Sequence, residues 1–199
     1  ECDGRFLNEN EHGQLCSLMK PTPDEGKWRH HSVLNKQDKY RGRFCNATDG
    51  EYFVFVEIAP TDNPRSIFVY STNNFDDENW ASKQIELPDG YDMIDQGNIS
   101  LRYLNGEFVI TILMQNDNSN IIYVLRAKKP DENWIHHLIQ IEDLPKFDID
   151  LCFCYCYFMN NVYVILFKCH NCGDVERGFV ILYGPNFSTL KMNKKFCYK

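Results

Sequence analysis

Short runs of β-branched and aromatic residues, separated by polar turn residues, recur along the chain. Tyr52-Phe53-Val54-Phe55, Ile67-Phe68-Val69-Tyr70, Phe108-Val109-Ile110-Thr111-Ile112, Ile121-Ile122-Tyr123-Val124-Leu125 and Val162-Tyr163-Val164-Ile165-Leu166 all read as strands. No segment sustains a 3.6-residue apolar period over three turns, so helices are not expected. Asp49-Gly50, Asn105-Gly106 and Asn160-Asn161 each stand between two such runs. Asn-Gly is the favoured two-residue hairpin turn because both positions tolerate positive φ. The pattern predicts consecutive antiparallel hairpins.

The hairpins repeat. Pro23-Asp24-Glu25-Gly26-Lys27-Trp28, Asp76-Asp77-Glu78-Asn79-Trp80 and Pro130-Asp131-Glu132-Asn133-Trp134 close on tryptophans 52 and 54 residues apart. A period near 50 filled with strands is the signature of a β-propeller blade, with an inner, second, third and outer strand in each copy. The expected fold is all-β: a small β-propeller of four blades, mainly of four antiparallel strands, the first incomplete. It forms a single domain over 1–199, with repeats at about 1–34, 35–87, 88–141 and 142–199. The rival arrangement has three and a half blades that close against a second chain.

The turn before each tryptophan resembles a degenerate Asp-box, the Ser/Thr-x-Asp-x-Gly-x-x-Trp turn of sialidase-like (BNR-repeat) propellers. Thr22 to Trp28 matches it with one residue missing. Ser71 to Trp80 matches with an insertion and no glycine, and Asp131 and Trp134 keep only its end. In that family the box shapes a turn and its tryptophan packs between blades, so the resemblance implies architecture and no activity. The family's arginine triad, with its companion Tyr and Glu, has no counterpart here.

Composition narrows the compartment and the partners. A net charge of −7 with no basic stripe argues against nucleic acid; Lys191, Lys194, Lys195 and Lys199 read as a solvated tail. No apolar run is long enough to span a bilayer, and the chain starts without a signal peptide. The nine cysteines Cys2, Cys16, Cys45, Cys152, Cys154, Cys156, Cys169, Cys172 and Cys197 suggest an oxidising compartment and a disulfide-stapled domain. The sequons at Asn46, Asn98 and Asn186 agree, so a secreted, extracellular glycoprotein is expected.

Cys152, Cys154 and Cys156 share one strand face, and Cys169-His170-Asn171-Cys172 follows the next strand. Disulfides are the expected use, with zinc as the rival. Four-bladed hemopexin-like domains are similar in length and in end cysteines, which implies a Cys2–Cys197 staple. Cys16 pairing with Cys2 or Cys45 stays open. The ninth cysteine is either buried and free or links two chains into a disulfide-bonded homodimer.

Asp92 and Asp95 precede one inner strand, and Asp148 and Asp150 precede another. Propeller glycosidases place an acid and a base at the channel mouth where inner strands start, and cleaving a glycosidic bond needs two carboxylates. Asp at strand starts is also ordinary turn chemistry, and a four-bladed ring leaves little room for a sugar. The expectation is therefore no enzyme and no cofactor, with a calcium or sodium ion in the channel as one further reading of these aspartates. His30-His31 and His136-His137 follow a repeat tryptophan at the same offset and read as solvated outer-strand residues facing opposite sides, with a paired metal or pH-sensing site as the rival.

Loops that differ between repeats are the binding candidates: Asp62, Asn63 and Arg65; Asn116, Asp117 and Asn118; and His170, Asn171, Asp174 and Arg177. All three loops are expected on one edge of the ring. Their chemistry does not repeat, which favours capture of one extracellular protein over several equal sugar sites. The chain resembles in style the six-bladed, cysteine-rich propeller adhesins of malaria-parasite invasion, which implies a parasite or saliva effector acting on a host protein. A tachylectin-type carbohydrate-binding lectin is the alternative, and a glycoside-hydrolase-like enzyme the third reading.

Overall fold

The computed structural model describes residues 6–9, 15–19, 29–34, 44–58, 65–74, 80–93, 99–116, 119–141, 148–170 and 177–198, with only the backbone described over parts of the strands. Among them there is no α-helix, only one 3₁₀ turn at Phe187–Thr189. Every strand pairing is antiparallel, and each sheet is a meander in chain order. The first sheet holds β1 (Phe6–Glu9), β2 (Leu15–Met19) and β3 (Arg29–Leu34). The second holds β4 (Phe44–Thr48), β5 (Phe53–Ile58), β6 (Ser66–Thr72) and β7 (Ala81–Glu86). The third runs from β8 (Asp92–Met93) and β9 (Ile99–Leu104), which share one edge of β10 (Glu107–Gln115), to β11 (Asn120–Ala127) and β12 (Ile135–Ile141). The fourth holds β13 (Asp148–Met159), β14 (Val162–His170), β15 (Arg177–Gly184) and β16 (Lys191–Tyr198).

The predicted turns form for the predicted reason. Asn105 and Gly106 have φ of 51° and 79°, and Asn160 and Asn161 have 50° and 61°. Both positions of each pair thus take the left-handed conformation that a tight hairpin requires. Asp49 Oδ1 accepts from the Glu51 and Tyr52 amides at 2.9 and 2.6 Å, an Asx turn that starts the β4–β5 hairpin.

The third sheet packs against a neighbouring sheet on each face. Seven successive residues of β10, Phe108 to Met114, are buried. One face, with Ile110, Ile112, Ile121 and Leu125, packs on Val54, Val56, Ile67 and Val69 of the second sheet. The other, with Val109, Leu113, Ile122 and Val124, packs on Tyr163, Ile165, Val180 and Leu182 of the fourth. A strand buried on both faces reads as a continuous apolar run, which is why β10 loses the alternation seen elsewhere. Its one polar interior residue, Thr111, shares a 2.6 Å hydroxyl–hydroxyl hydrogen bond with Ser100 on β9, so neither is buried unsatisfied.

Trp134 is buried in the cluster between the second and third sheets, and its indole N–H donates to the Pro130 carbonyl at 3.2 Å. The turn before it is gripped from the neighbouring sheet, because Lys83 Nζ on β7 donates to the Glu132 carbonyl at 2.8 Å. The repeat tryptophan therefore ties adjacent sheets together. Trp80 is likewise buried, and Trp28 lies outside the described residues.

The cysteines depart from the expectation of a disulfide-stapled domain. No disulfide occurs among the described residues, and Cys45 and Cys156 are free thiols. Cys154 and Cys156 lie two residues apart on one face of β13, among the apolar residues between the third and fourth sheets. Cys45 packs against the opposite cluster. They serve as small apolar core residues, a common use of buried cysteine. Burial is the main cause that pushes both thiols to about 12. Cys2 and Cys172, and the side chains of Cys16, Cys152, Cys169 and Cys197, lie outside the described residues.

Two outcomes follow. At pH 8, iodoacetamide should leave Cys45 and Cys156 of the native chain unmodified and label both after unfolding without reductant, as read by peptide mass mapping. Failure to label after unfolding would mean that they are bridged. Ile110→Ala should lower stability by about 2–5 kcal/mol in urea unfolding at unchanged m, because it opens a cavity in the two-sided core.

Candidate functional site

Antiparallel meanders put the start of each first strand at the same sheet end as the connection between the second and third strands. In the second sheet that end carries Arg65; in the third, Asp92 and the 116–119 turn; in the fourth, Asp148, His170 and Arg177. The first strands β4, β9 and β13 lie beside one another. Two side-chain contacts link neighbouring sheets, one at each end. Arg65 of the second sheet reaches the start of the third, with Nη1 donating to the Tyr91 carbonyl at 3.3 Å and Nη2 3.6 Å from Asp92 Oδ1. At the opposite end, Asn105 Nδ2 of the third sheet donates to the Tyr163 hydroxyl of the fourth at 3.5 Å.

The edge therefore brings a predicted loop cation onto a predicted strand-start carboxylate. Both side chains are more than half exposed, so this pair is a positioned surface pair with modest energetic weight. Asn116 closes the turn beside it: its Oδ1 accepts from the Ser119 amide at 2.7 Å and hydroxyl at 3.1 Å. Asp92 pairs with Gln115 in backbone register, which adds β8 to the first-strand position of the third sheet. In the fourth sheet, Asp148 is opposite His170 and His170 opposite Arg177, so a carboxylate, an imidazole and a guanidinium residue occupy one row.

Other sequence candidates are placed elsewhere or not at all. Asp62, Asn63, Asp95, Asn98, Asp117, Asn118, Asn171 and Asp174 lie outside the described residues, as do the side chains of Asp148, Asp150, His170 and Arg177. Asn46 is exposed on β4. Asn186 caps the 3₁₀ turn, its Oδ1 accepting from the Ser188 amide and the Thr189 hydroxyl, both at 3.0 Å. Among the described residues no three His, Cys, Asp or Glu side chains converge as a metal site would require. No helix among them is long and apolar enough to cross a membrane.

Of the outer-strand histidines, His136 is exposed, as expected, and His137 is half-buried. His136 and His137 do face opposite sides of β12. His136 Nδ1 bonds the Tyr123 hydroxyl, and His137 Nε2 accepts from Arg126 Nε at 3.1 Å. Arg126 also pairs with Glu107 at 3.1 Å. Burial pushes the Tyr123 phenol up to about 12. Glu107 and Arg126 open and close strands as ordinary surface charges do, so their partnership was invisible without the β10–β11 register.

No family model matches the chain, and no curated protein matches its sequence. Among solved structures, the fold is similar to that of a protein from Bacteroides thetaiotaomicron VPI-5482 described as a "putative glycosidase". The TM-score is 0.50 at 12% identity, and the match covers 99% of this chain and 70% of the other. At that identity the likeness concerns architecture and transfers no residue.

The reading of the chain as a secreted, disulfide-rich module that captures a protein partner is thereby corrected. Its structural likeness is to a protein described as a "putative glycosidase", and two of the cysteines counted toward bridges are free thiols. The lectin alternative draws no support from either finding.

Because the Arg65–Asp92 pair is exposed, Arg65→Ala should change stability by no more than about 1 kcal/mol, and that small change should shrink in 1 M salt. Thermal melts at low and high salt check this; a larger, salt-insensitive loss would make the pair a structural clamp.

Proposed function

We propose that the four sheets are blades of a β-propeller and that the chain acts on carbohydrate, as a glycoside hydrolase, at the edge where the first strands begin. The observation that supports this reading is the Arg65–Asp92 contact, which joins a loop of one sheet to the first-strand start of the next in a glycosidase-like fold. Face-to-face packing on both sides of the third sheet, with first strands side by side, supports the blade arrangement.

Hydrolysis of a glycosidic bond needs one carboxyl to protonate the leaving oxygen and a second to activate water or attack the anomeric carbon. Asp92 and Asp148 start the first strands of two successive sheets, so each sheet contributes one carboxyl. Asp92, anchored by Arg65, fits the carboxylate that stays fixed as charge develops on the sugar. Asp148, in the row with His170 and Arg177, takes the role of the acid. Arg65, as the positioning residue for Asp92, is expected to matter less than either.

The test is sugar release from a panel of aryl glycosides and glycans of defined linkage. Asp92→Asn and Asp148→Asn should each lower turnover by roughly 10²–10⁴-fold while the melting temperature holds. Absence of release across the panel, or undiminished turnover in both variants, would sink the proposal. Glycan bound but never cleaved would remove the hydrolytic step.

A further inference from the structure

At the sheet end opposite the candidate site, the third and fourth sheets meet through one aromatic wedge. Phe187, in the 3₁₀ turn between β15 and β16, is 4% exposed. Its ring stands 5.8 Å from His137 of β12 and 4.2 Å from Tyr163 of β14. Phe187 thus sits between an imidazole of the third sheet and a phenol ring of the fourth. The Tyr163 hydroxyl accepts in turn from Asn105 of the β9–β10 turn.

His137 is held in one protonation state by its neighbours. A guanidinium only donates, so Nε2 must carry the lone pair that accepts from Arg126 and Nδ1 must carry the proton. A second proton would occupy that lone pair, break the hydrogen bond and place an imidazolium beside the guanidinium. Among the described residues Glu107 is the carboxylate that acts on the group, and it is already engaged by Arg126 at 3.1 Å. From β12 itself, His136 adds a further potential cation on the opposite face. The 3₁₀ turn contributes no acidic or basic residue in its terminal turns, so nothing there compensates the added charge. Burial first, then Arg126, hold His137 below its ordinary value of 6.5, with Glu107 pulling the other way and His136 adding to the depression.

We propose that His137 is a proton-operated latch: neutral, it accepts from Arg126 and backs Phe187 in the seam between the third and fourth sheets; protonated, it loses the Arg126 bond and frees the 3₁₀ turn to undock. The sign follows from linkage. A group that binds its proton more readily when the latch is open favours the open state as pH falls below its open-state value. The latch is fully effective above pH 6.5 and weakens progressively below it. A fall in pH would loosen this seam at Phe187, the residue the 3₁₀ turn gives to the apolar cluster between the third and fourth sheets.

Two measurements on the native chain test this. The first is NMR titration of the imidazole C–H resonances, with His137 assigned by the His137→Gln variant and His136→Gln as control. His137 should titrate below 6.5, and Arg126→Gln should move it upward. The second is hydrogen exchange of the Ser188 and Thr189 amides, which are bonded to Asn186 in the closed turn. After correction for intrinsic chemistry, their protection should fall between pH 8 and pH 5, by up to about tenfold for each unit by which closure depresses His137. His137→Gln should abolish that pH dependence and His136→Gln should leave it. A His137 that titrates at or above 6.5, or protection that follows intrinsic chemistry alone, overturns the latch. The exchange reading is made on the unmodified chain, so a variant that fails to fold leaves that test intact.

Discussion

Burial of the third sheet on both faces is the constraint on which the rest of the structure depends. β10 contributes Phe108, Ile110, Ile112 and Met114 to one apolar cluster and Val109 and Leu113 to the other. Neither neighbouring sheet has another described partner of comparable extent for those faces. Alternation then acts differently here than in a half-exposed strand: odd and even positions are both core, but they serve different interfaces. A polar residue can enter such a strand only with a partner, as Thr111 does with Ser100.

Stacking sheets by apolar contact alone would leave their relative orientation loosely specified, since apolar contact is non-directional. Directional contacts at the two ends supply what the clusters lack. Arg65 reaches the start of the third sheet, Lys83 grips the turn before Trp134, and Asn105 reaches Tyr163. Each joins successive sheets, and together they align the first-strand starts on one edge. At the other end the Glu107–Arg126–His137 chain and Phe187 occupy the seam, so the two ends carry different chemistry: exposed charge at one, a partly buried titratable group at the other.

The cysteines illustrate how one residue type supports two readings. Nine cysteines in 199 residues argue for bridges by count alone. Yet Cys154 and Cys156 alternate with exposed Tyr155 and Tyr157, which places them on the inward face of β13 as a strand of any apolar residue would be placed. Two residues on one strand face point the same way, so Cys154 and Cys156 do not bridge to each other.

Hairpin order, turn positions and the absence of helix were determined by the sequence itself, because they rest on local rules. Asn105-Gly106 and Asn160-Asn161 need positive φ, strand runs need β-branched and aromatic residues, and the tryptophan period marks the first three repeats. The outer-strand position of His136 and His137 followed from the same period. Sequence could also propose Arg65 and Asp92 separately, one as a loop residue and one as a strand-start carboxylate. What only the tertiary structure decided was which residues meet across sheets: Arg65 with Asp92, Arg126 with both Glu107 and His137, Phe187 between His137 and Tyr163. Those partnerships depend on strand register and on how one sheet stacks on the next. Both are set by long-range packing that no local pattern encodes.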